Sequence, residues 1–93
     1  MPQVLIEKRV IKFLEKLPPK QKNQLSRRII ELSNTPKPHD CSALIGYPDY
    51  YRITCGEYRI IYRYNNEKVT LNIILIGKRN DDDAYHQLRN LLG

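Results

Sequence analysis

Between Tyr50 and Arg79 the chain reads YYRITCGEYRIIYRYNNEKVTLNIILIGKR: three runs rich in Ile, Val, Leu, Tyr and Thr, broken at Gly56-Glu57 and at Asn65-Asn66. Runs of this kind joined by Gly-X or Asn-X pairs are hairpin signals, so the stretch predicts a three-stranded antiparallel meander. Glycine takes positive φ at no steric cost, as the first central position of a type II′ turn requires. A turn at Gly56-Glu57 sets Cys55 against Tyr58, Thr54 against Arg59, Ile53 against Ile60 and Tyr51 against Tyr62. A turn centred on Asn65-Asn66 sets Tyr64 against Glu67, Tyr62 against Val69 and Ile60 against Leu71. Side chains alternate along a strand. One face then collects Tyr51, Ile53, Cys55, Tyr58, Ile60, Tyr62, Val69, Leu71, Ile73 and Leu75, and is the expected core. The other collects Arg52, Thr54, Arg59, Arg63, Lys68, Thr70 and Asn72. Like charges gathered on one face repel unless an anionic partner compensates them, which makes this a candidate working surface. The pattern alone fits a solvated cationic face equally well.

The rest of the chain supplies cover for that sheet. Gln3 to Ile6 is a short apolar-leaning run suited to an edge strand. Glu7 to Leu17 then reads as a helix, with Ile6, Val10, Phe13, Leu14 and Leu17 at helical spacing and Lys8, Arg9, Lys12 and Lys16 on the remainder. Pro18-Pro19 ends it, and Pro19 suits the first position of a second helix running to about Ser33. Leu25, Ile29 and Leu32 face inward there, with Lys20, Lys22, Arg27 and Arg28 outward. From Asn34 to Asp49, prolines and polar residues break any period, and Leu44 and Ile45 are expected to pin this connection to the core. Asp81-Asp82-Asp83 favours a helix start, followed by Ala84, Tyr85, Leu88, Leu91 and Leu92. The predicted fold is α+β: two N-terminal helices packed on a small, mainly antiparallel sheet (a short N-terminal strand plus the meander), closed by a C-terminal helix. Residues 1–93 form a single domain in this reading.

Charge narrows the class of partner. The net charge is +6. Residues 1–46 hold nine Lys or Arg against four Asp or Glu (9 − 4 = +5), and residues 47–93 hold seven against six (7 − 6 = +1). A basic domain of this size suggests a nucleic-acid or acidic-protein partner. Cys41 and Cys55 have no metal-ligand spacing, and Cys55 reads as a small buried hydrophobe. No charged-then-apolar leader and no bilayer-length apolar run occur, so a cytoplasmic protein without a membrane partner is expected. Phosphate loops, nucleophile elbows and HExxH are absent. His39 and His86 read as surface histidines, and the Asp81–Asp83 run as a helix cap rather than a metal site. What remains is a set of guanidinium groups and tyrosines. Arginine stabilises charge on a pentacoordinate phosphorane, and tyrosine can stack on bases, so chemistry on RNA is open to this chain.

The elements Tyr51-Arg52-Ile53, Gly56-Glu57-Tyr58-Arg59-Ile60-Ile61-Tyr62 and Ile76-Gly77-Lys78-Arg79, with Tyr85 a few residues on, resemble the RelE/ParE superfamily of bacterial toxins over nearly the whole chain. Matching positions are similar to the RelE-type branch, whose members cleave messenger RNA in the ribosomal A site. The resemblance implies that Arg52, Arg59, Arg79 and Tyr85 surround the scissile phosphate. It implies that the 2′-hydroxyl attacks the adjacent phosphate without a metal or other cofactor, leaving a 2′,3′-cyclic phosphate and a 5′-hydroxyl. Thr54 departs from the branch, which carries a second lysine there; Arg63 or Lys78 could substitute. Strict alternation from Ile73 and Leu75 places Arg79 on the core face, unless Gly77 ends or bulges the strand. The implied partners are the ribosome with its messenger and a cognate RelB-like antitoxin. Lys8, Arg9, Lys12, Lys16, Lys20, Lys22, Arg27, Arg28, Arg63 and Lys78 are the candidate RNA or ribosome contacts. The alternatives are a ParE-type toxin that poisons DNA gyrase and a basic RNA-binding module without chemistry.

Overall fold

The computed structural model describes residues 2–78 and 83–92. In chain order the elements are β1 (Gln3–Ile6), α1 (Lys8–Glu15), α2 (Pro19–Asn34), β2 (Ser42–Ala43), β3 (Tyr50–Cys55), β4 (Tyr58–Asn65), β5 (Thr70–Lys78) and α3 (Asp83–Leu92). They form a five-stranded sheet in the order β1-β5-β4-β3-β2. The β1–β5 pair is parallel and the others antiparallel. The two-residue β2 lies inside what the sequence presents as a plain connection. Pro19 opens α2, where the missing amide costs nothing, and the Lys22 amide closes the first turn on the Pro18 carbonyl at 3.0 Å.

The first hairpin takes the expected register, from Cys55 opposite Tyr58 to Tyr51 opposite Tyr62. Gly56 sits at φ +60° and Glu57 is not at positive φ, as a type II′ turn requires.

The second hairpin differs. Asn65 pairs with Thr70, Tyr64 with Leu71 and Tyr62 with Ile73, so the loop is Asn66 to Val69 rather than a pair centred on Asn65-Asn66. The reason is the Asn65 side chain, whose Oδ1 accepts from the Glu67 and Lys68 amides, each at 3.0 Å. That Asx arrangement competes with a tight turn and carries the chain on to Val69, held at φ +50°. Val69 is consequently exposed, not core, and Lys68 belongs to the loop. The slip is even in residues, so Leu71 and Ile73 keep the core face.

A bulge then changes the parity. Tyr62 pairs with Ile73 but Ile61 pairs with Leu75, leaving Ile74 without a partner across the β4 ladder. Leu75 therefore turns away from the expected core face, and Ile76 takes its place there, opposite Ile60.

Two apolar clusters result. Beneath α1 and α2, buried Val10, Leu25, Ile29 and Leu32 meet Ile53, Ile60, Tyr62, Leu71 and Ile73. The Tyr62 hydroxyl satisfies itself by donating to the Pro36 carbonyl at 2.7 Å. On the opposite face Ile61, Ile74 and Leu75 meet Leu88 of α3, with Leu44, Tyr47, Tyr50 and Tyr85 around them. Leu44 thus anchors its loop as expected, but Ile45 does not: it is 99% exposed. Ile6 lies in β1 and is partly exposed, and so are Leu91 and Leu92 of α3. Asp81 and Asp82 lie outside the described residues.

Candidate active site

Arg52 on β3 and Arg59 on β4 are diagonal neighbours on the α3 side of the sheet, since Thr54 pairs with Arg59 and Arg52 with Ile61. Both guanidinium groups reach one atom. The Nη1 groups of Arg52 and of Arg59 donate to the Tyr85 hydroxyl oxygen, the latter at 2.9 Å. Their central carbons lie 5.9 and 5.2 Å from the Tyr85 ring centroid. A phenolic oxygen has two lone pairs and here both are used, which leaves its own proton free for another acceptor. Two permanent cations converging on one oxygen can stabilise negative charge there, or on a phosphate oxygen placed beside it.

The surroundings keep this cation pair available. Among the described residues the ion pairs are those of Arg28, so neither Arg52 nor Arg59 is matched to a carboxylate. The Arg59 Nε–H is buried without a hydrogen-bond partner. Both arginines are half-buried, so their fields are less screened than at an open surface. Thr54, beside Arg59 across the strands, is exposed and uncharged. On the other side of Arg59 the register partner is Gly77, which adds no side chain to crowd the site.

The remaining candidates fall elsewhere. Arg79 lies outside the described residues; the bulge gives Leu75 and Gly77 the parity of the Arg59 face, which removes the reason to assign odd positions near the end of β5 to the core. Arg63 is exposed, four positions along β4 from Arg59, with its guanidinium 5.8 Å from the Tyr50 ring centroid. Lys78 is exposed at the end of β5. Lys8, Arg9, Lys12 and Lys16 lie on or just beyond α1, and Lys20, Lys22 and Arg27 on α2; all are exposed. These helices cover the face opposite Tyr85, so helix cations and site cations lie on different sides of the sheet. Two of the helix cations are engaged. Arg28 pairs with Glu31 at 2.8 Å and with Asp40. Arg9 donates from Nη1 to the Ile74 carbonyl at 3.1 Å. His39 and His86 are exposed. Among the described residues no three His, Cys, Asp or Glu side chains gather closely enough to hold a metal ion, and no helix is long and apolar enough to cross a membrane.

Sequence reasoning missed the arrangement at Ile74, Leu75 and Gly77. The signal for it is the unbroken run Ile73-Ile74-Leu75-Ile76, which cannot alternate apolar with polar and so marks a strand buried on both faces.

A family model for the ParE toxin of the type II toxin–antitoxin system parDE matches residues 4–83. The chain belongs to this toxin family. It is 30% identical over 83 residues to the mRNA interferase toxin RelE of Escherichia coli K12, covering 87% of this chain and 86% of that protein. The crystal structure of the isolated E. coli RelE toxin superposes over the whole of both chains with a TM-score of 0.74 at 25% identity. The RelE–RelB complex of the archaeon Pyrococcus horikoshii OT3 gives 0.75 at 30% identity, over 84% of this toxin and 94% of that chain.

Proposed function

We propose that residues 1–93 work as one toxin domain of a type II toxin–antitoxin pair, an endoribonuclease that cleaves messenger RNA and is restrained by a cognate RelB-like antitoxin. The observation that carries the chemistry is the convergence of Arg52 and Arg59 on the Tyr85 hydroxyl. In this reading the scissile phosphate docks against the two guanidinium groups. The 2′-oxygen attacks phosphorus, the bond from phosphorus to the 5′-oxygen breaks, and the products are a 2′,3′-cyclic phosphate and a 5′-hydroxyl. As the phosphate takes over the two guanidinium groups, a lone pair of the Tyr85 oxygen is released to accept the 2′-hydroxyl proton. The phenolic proton passes to water, and a proton from water completes the leaving 5′-hydroxyl. Arg52 and Arg59 take up the charge that develops on the phosphorane, and Arg79 approaches the leaving oxygen. The positive charge this step requires is already on side chains, so the proposed reaction uses no metal or other cofactor.

Such a sparse site needs its substrate held in line. Positioning can supply many kcal/mol, and the ribosomal A site is the proposed holder. The exposed cations of α1 and α2 suit ribosomal RNA backbone, and the site of action is the cytoplasm, where translating ribosomes are found. The antitoxin is expected to bring an acidic or amphipathic segment. Among the described residues of α3, Leu88 is fully buried while Leu91 and Leu92 are half-exposed, so this helix is the element most readily shifted by such a partner.

The test is single-turnover cleavage on ribosomes carrying a messenger, run beside a gyrase inhibition assay because the matching family is that of the ParE toxin. Arg59→Ala and Tyr85→Phe should each slow cleavage by at least ~10²-fold, the scale for losing an oxyanion-stabilising or proton-transfer group, and leave ribosome affinity nearly unchanged. Free messenger should be cut poorly. Full toxicity in both variants, or gyrase inhibition without cleavage, overturns the assignment.

A further inference from the structure

Sequence places Arg9 among the cations that face RNA, and the residue is exposed, but its guanidinium also donates to a backbone carbonyl of the sheet. β1 ends at Ile6, opposite Ile73, and the last backbone bond on that side runs from the Glu7 amide to the Ile73 carbonyl at 3.1 Å. From Ile74 onward no strand among the described residues lies beside the outer edge of β5. Ile74 is also the bulge residue that β4 leaves unpaired. Its carbonyl is met by Arg9, reaching from α1 to donate from Nη1 at 3.1 Å across 65 positions of sequence. A charge-assisted bond from a rigid guanidinium is a strong and directional way to fix a carbonyl.

The bulge decides which residues reach the site. Because a one-residue change of register reverses every following side chain, the bulge sends both Ile74 and Leu75 to the α3 side, where they pack with Leu88 beside Tyr85. It also puts Gly77 opposite Arg59. Without it, Leu75 would turn towards α1 and α2, and Ile76 towards α3. We propose that Arg9 is a positioning residue for cleavage: by holding the Ile74 carbonyl it fixes the bulge that seats α3, and so places the Tyr85 hydroxyl between Arg52 and Arg59. Arg9 touches neither the reacting atoms nor Tyr85, and acts through Leu75 and Leu88. The guanidinium borders a cavity of about 260 Å³ between α1, β5 and α3, lined by Phe13, Leu75, Gly77 and Gln87 among others. Water can enter there and take over the carbonyl when the guanidinium is removed, so the fold survives the loss while the fixed geometry does not.

The inference rests on the nuclease reading for its rate consequences and on the fold alone for its dynamic ones, and the experiment has an arm for each. Arg9→Met keeps the apolar stem and deletes the donors; Arg9→Lys restores one cationic donor. In single-turnover cleavage on messenger-loaded ribosomes, Arg9→Met is expected to lose about 10-fold in rate at saturation, within the range that small misplacements produce. Ribosome affinity and its salt dependence should stay within about twofold of wild type, since no phosphate contact is lost. Arg9→Lys should recover part of the rate. In a Tyr85→Phe background Arg9→Met should change the rate by less than about twofold, because residues acting in series are not additive. Weaker, less salt-dependent ribosome binding with an intact saturated rate would make Arg9 an RNA contact and overturn the inference; so would fully multiplicative effects in the double variant. In the second arm, amide exchange at Leu75, Ile76 and Gly77 should quicken in Arg9→Met while Leu25 and Ile29 keep their protection. Uniform loosening, or no change, overturns the inference as well. A wild-type toxin that cuts nothing would defeat the nuclease reading instead, and the exchange arm would still decide the role of Arg9.

Discussion

Towards α1 and α2 the sheet presents Ile53, Ile60, Tyr62, Leu71 and Ile73, all buried against Val10, Leu25, Ile29 and Leu32. Towards α3 it presents Ile61, Ile74 and Leu75 against buried Leu88, with Arg52, Arg59 and Tyr85 at the margin. One face is mainly apolar contact, with the Tyr62 hydroxyl satisfied by the Pro36 carbonyl. The other is a small apolar patch that carries two cations with no carboxylate partner among the described residues. The contrast separates what holds the fold from what does the chemistry. Stability gathers where water is excluded, whereas a phosphate site must leave its cations unneutralised and reachable, at a cost the opposite face absorbs.

The sharpest way to break the comparison is to open a hole on each side. Leu25→Ala removes a fully buried side chain from the large cluster and should lower the free energy of unfolding by roughly 2–5 kcal/mol, leaving the cleavage rate per folded molecule near wild type. Leu88→Ala removes an equally buried residue from the small cluster. The expectation there is reversed: a smaller global loss, because α3 can detach locally, but a clear fall in cleavage as Tyr85 loses its seat. Denaturant unfolding paired with single-turnover rates checks both. Similar stability losses with similar rate effects would mean the two faces are not divided in this way.

A second test works on charge rather than packing. Reversing Lys8, Lys12 and Lys16 to glutamate alters only the helix side of the molecule. Ribosome association should weaken by at least about tenfold and its dependence on salt should flatten, as for lost phosphate contacts. The saturated cleavage rate should be unchanged. If the rate falls while affinity holds, the helix cations serve the site and the division by face is wrong.

What the sequence made legible follows the same division. The first hairpin could be read to the residue because Gly56-Glu57 is a local signal whose turn type dictates the register. That register already put Arg52 and Arg59 side by side. The second hairpin was misread because the Asn65 side chain captures two amides of its own loop, a preference that the Asn-Asn pair does not advertise. The bulge at Ile74 was hidden for a physical reason: where both faces are apolar, hydrophobicity cannot say which way a residue points. Ile45 looked like an anchor because it is apolar, yet its neighbour Leu44 takes that role. Tyr85 entered only through the family resemblance, since no periodicity links α3 to the arginine face. The partner of Arg9 could not be foreseen at all, because it is a backbone carbonyl 65 positions away.

The smallest expected effect sharpens the comparison most closely, because it sets stability against chemistry at one position. Thr54 is exposed and pairs with Arg59 across β3 and β4, so its side chain leaves the sheet on the site's side. A lysine there would add a third cation to this face, its Cβ about 5 Å from the Arg59 Cβ, the usual spacing of directly opposed residues. Like charges at that distance are unfavourable, so Thr54→Lys should lower stability by several tenths of a kcal/mol. If the α3 side is tuned for a phosphate, the same lysine should speed cleavage by about two- to fivefold, a gain of less than 1 kcal/mol that an extra, partly screened charge can supply to a transition state. Adding salt should shrink the penalty and the gain together, since both are Coulombic and the position is exposed. Chemical denaturation and single-turnover cleavage at two ionic strengths measure all four quantities. Lost stability without faster cleavage would mean that charge at Thr54 does not reach the reacting phosphate, and the site would have to be redrawn around Arg52, Arg59 and Tyr85 alone.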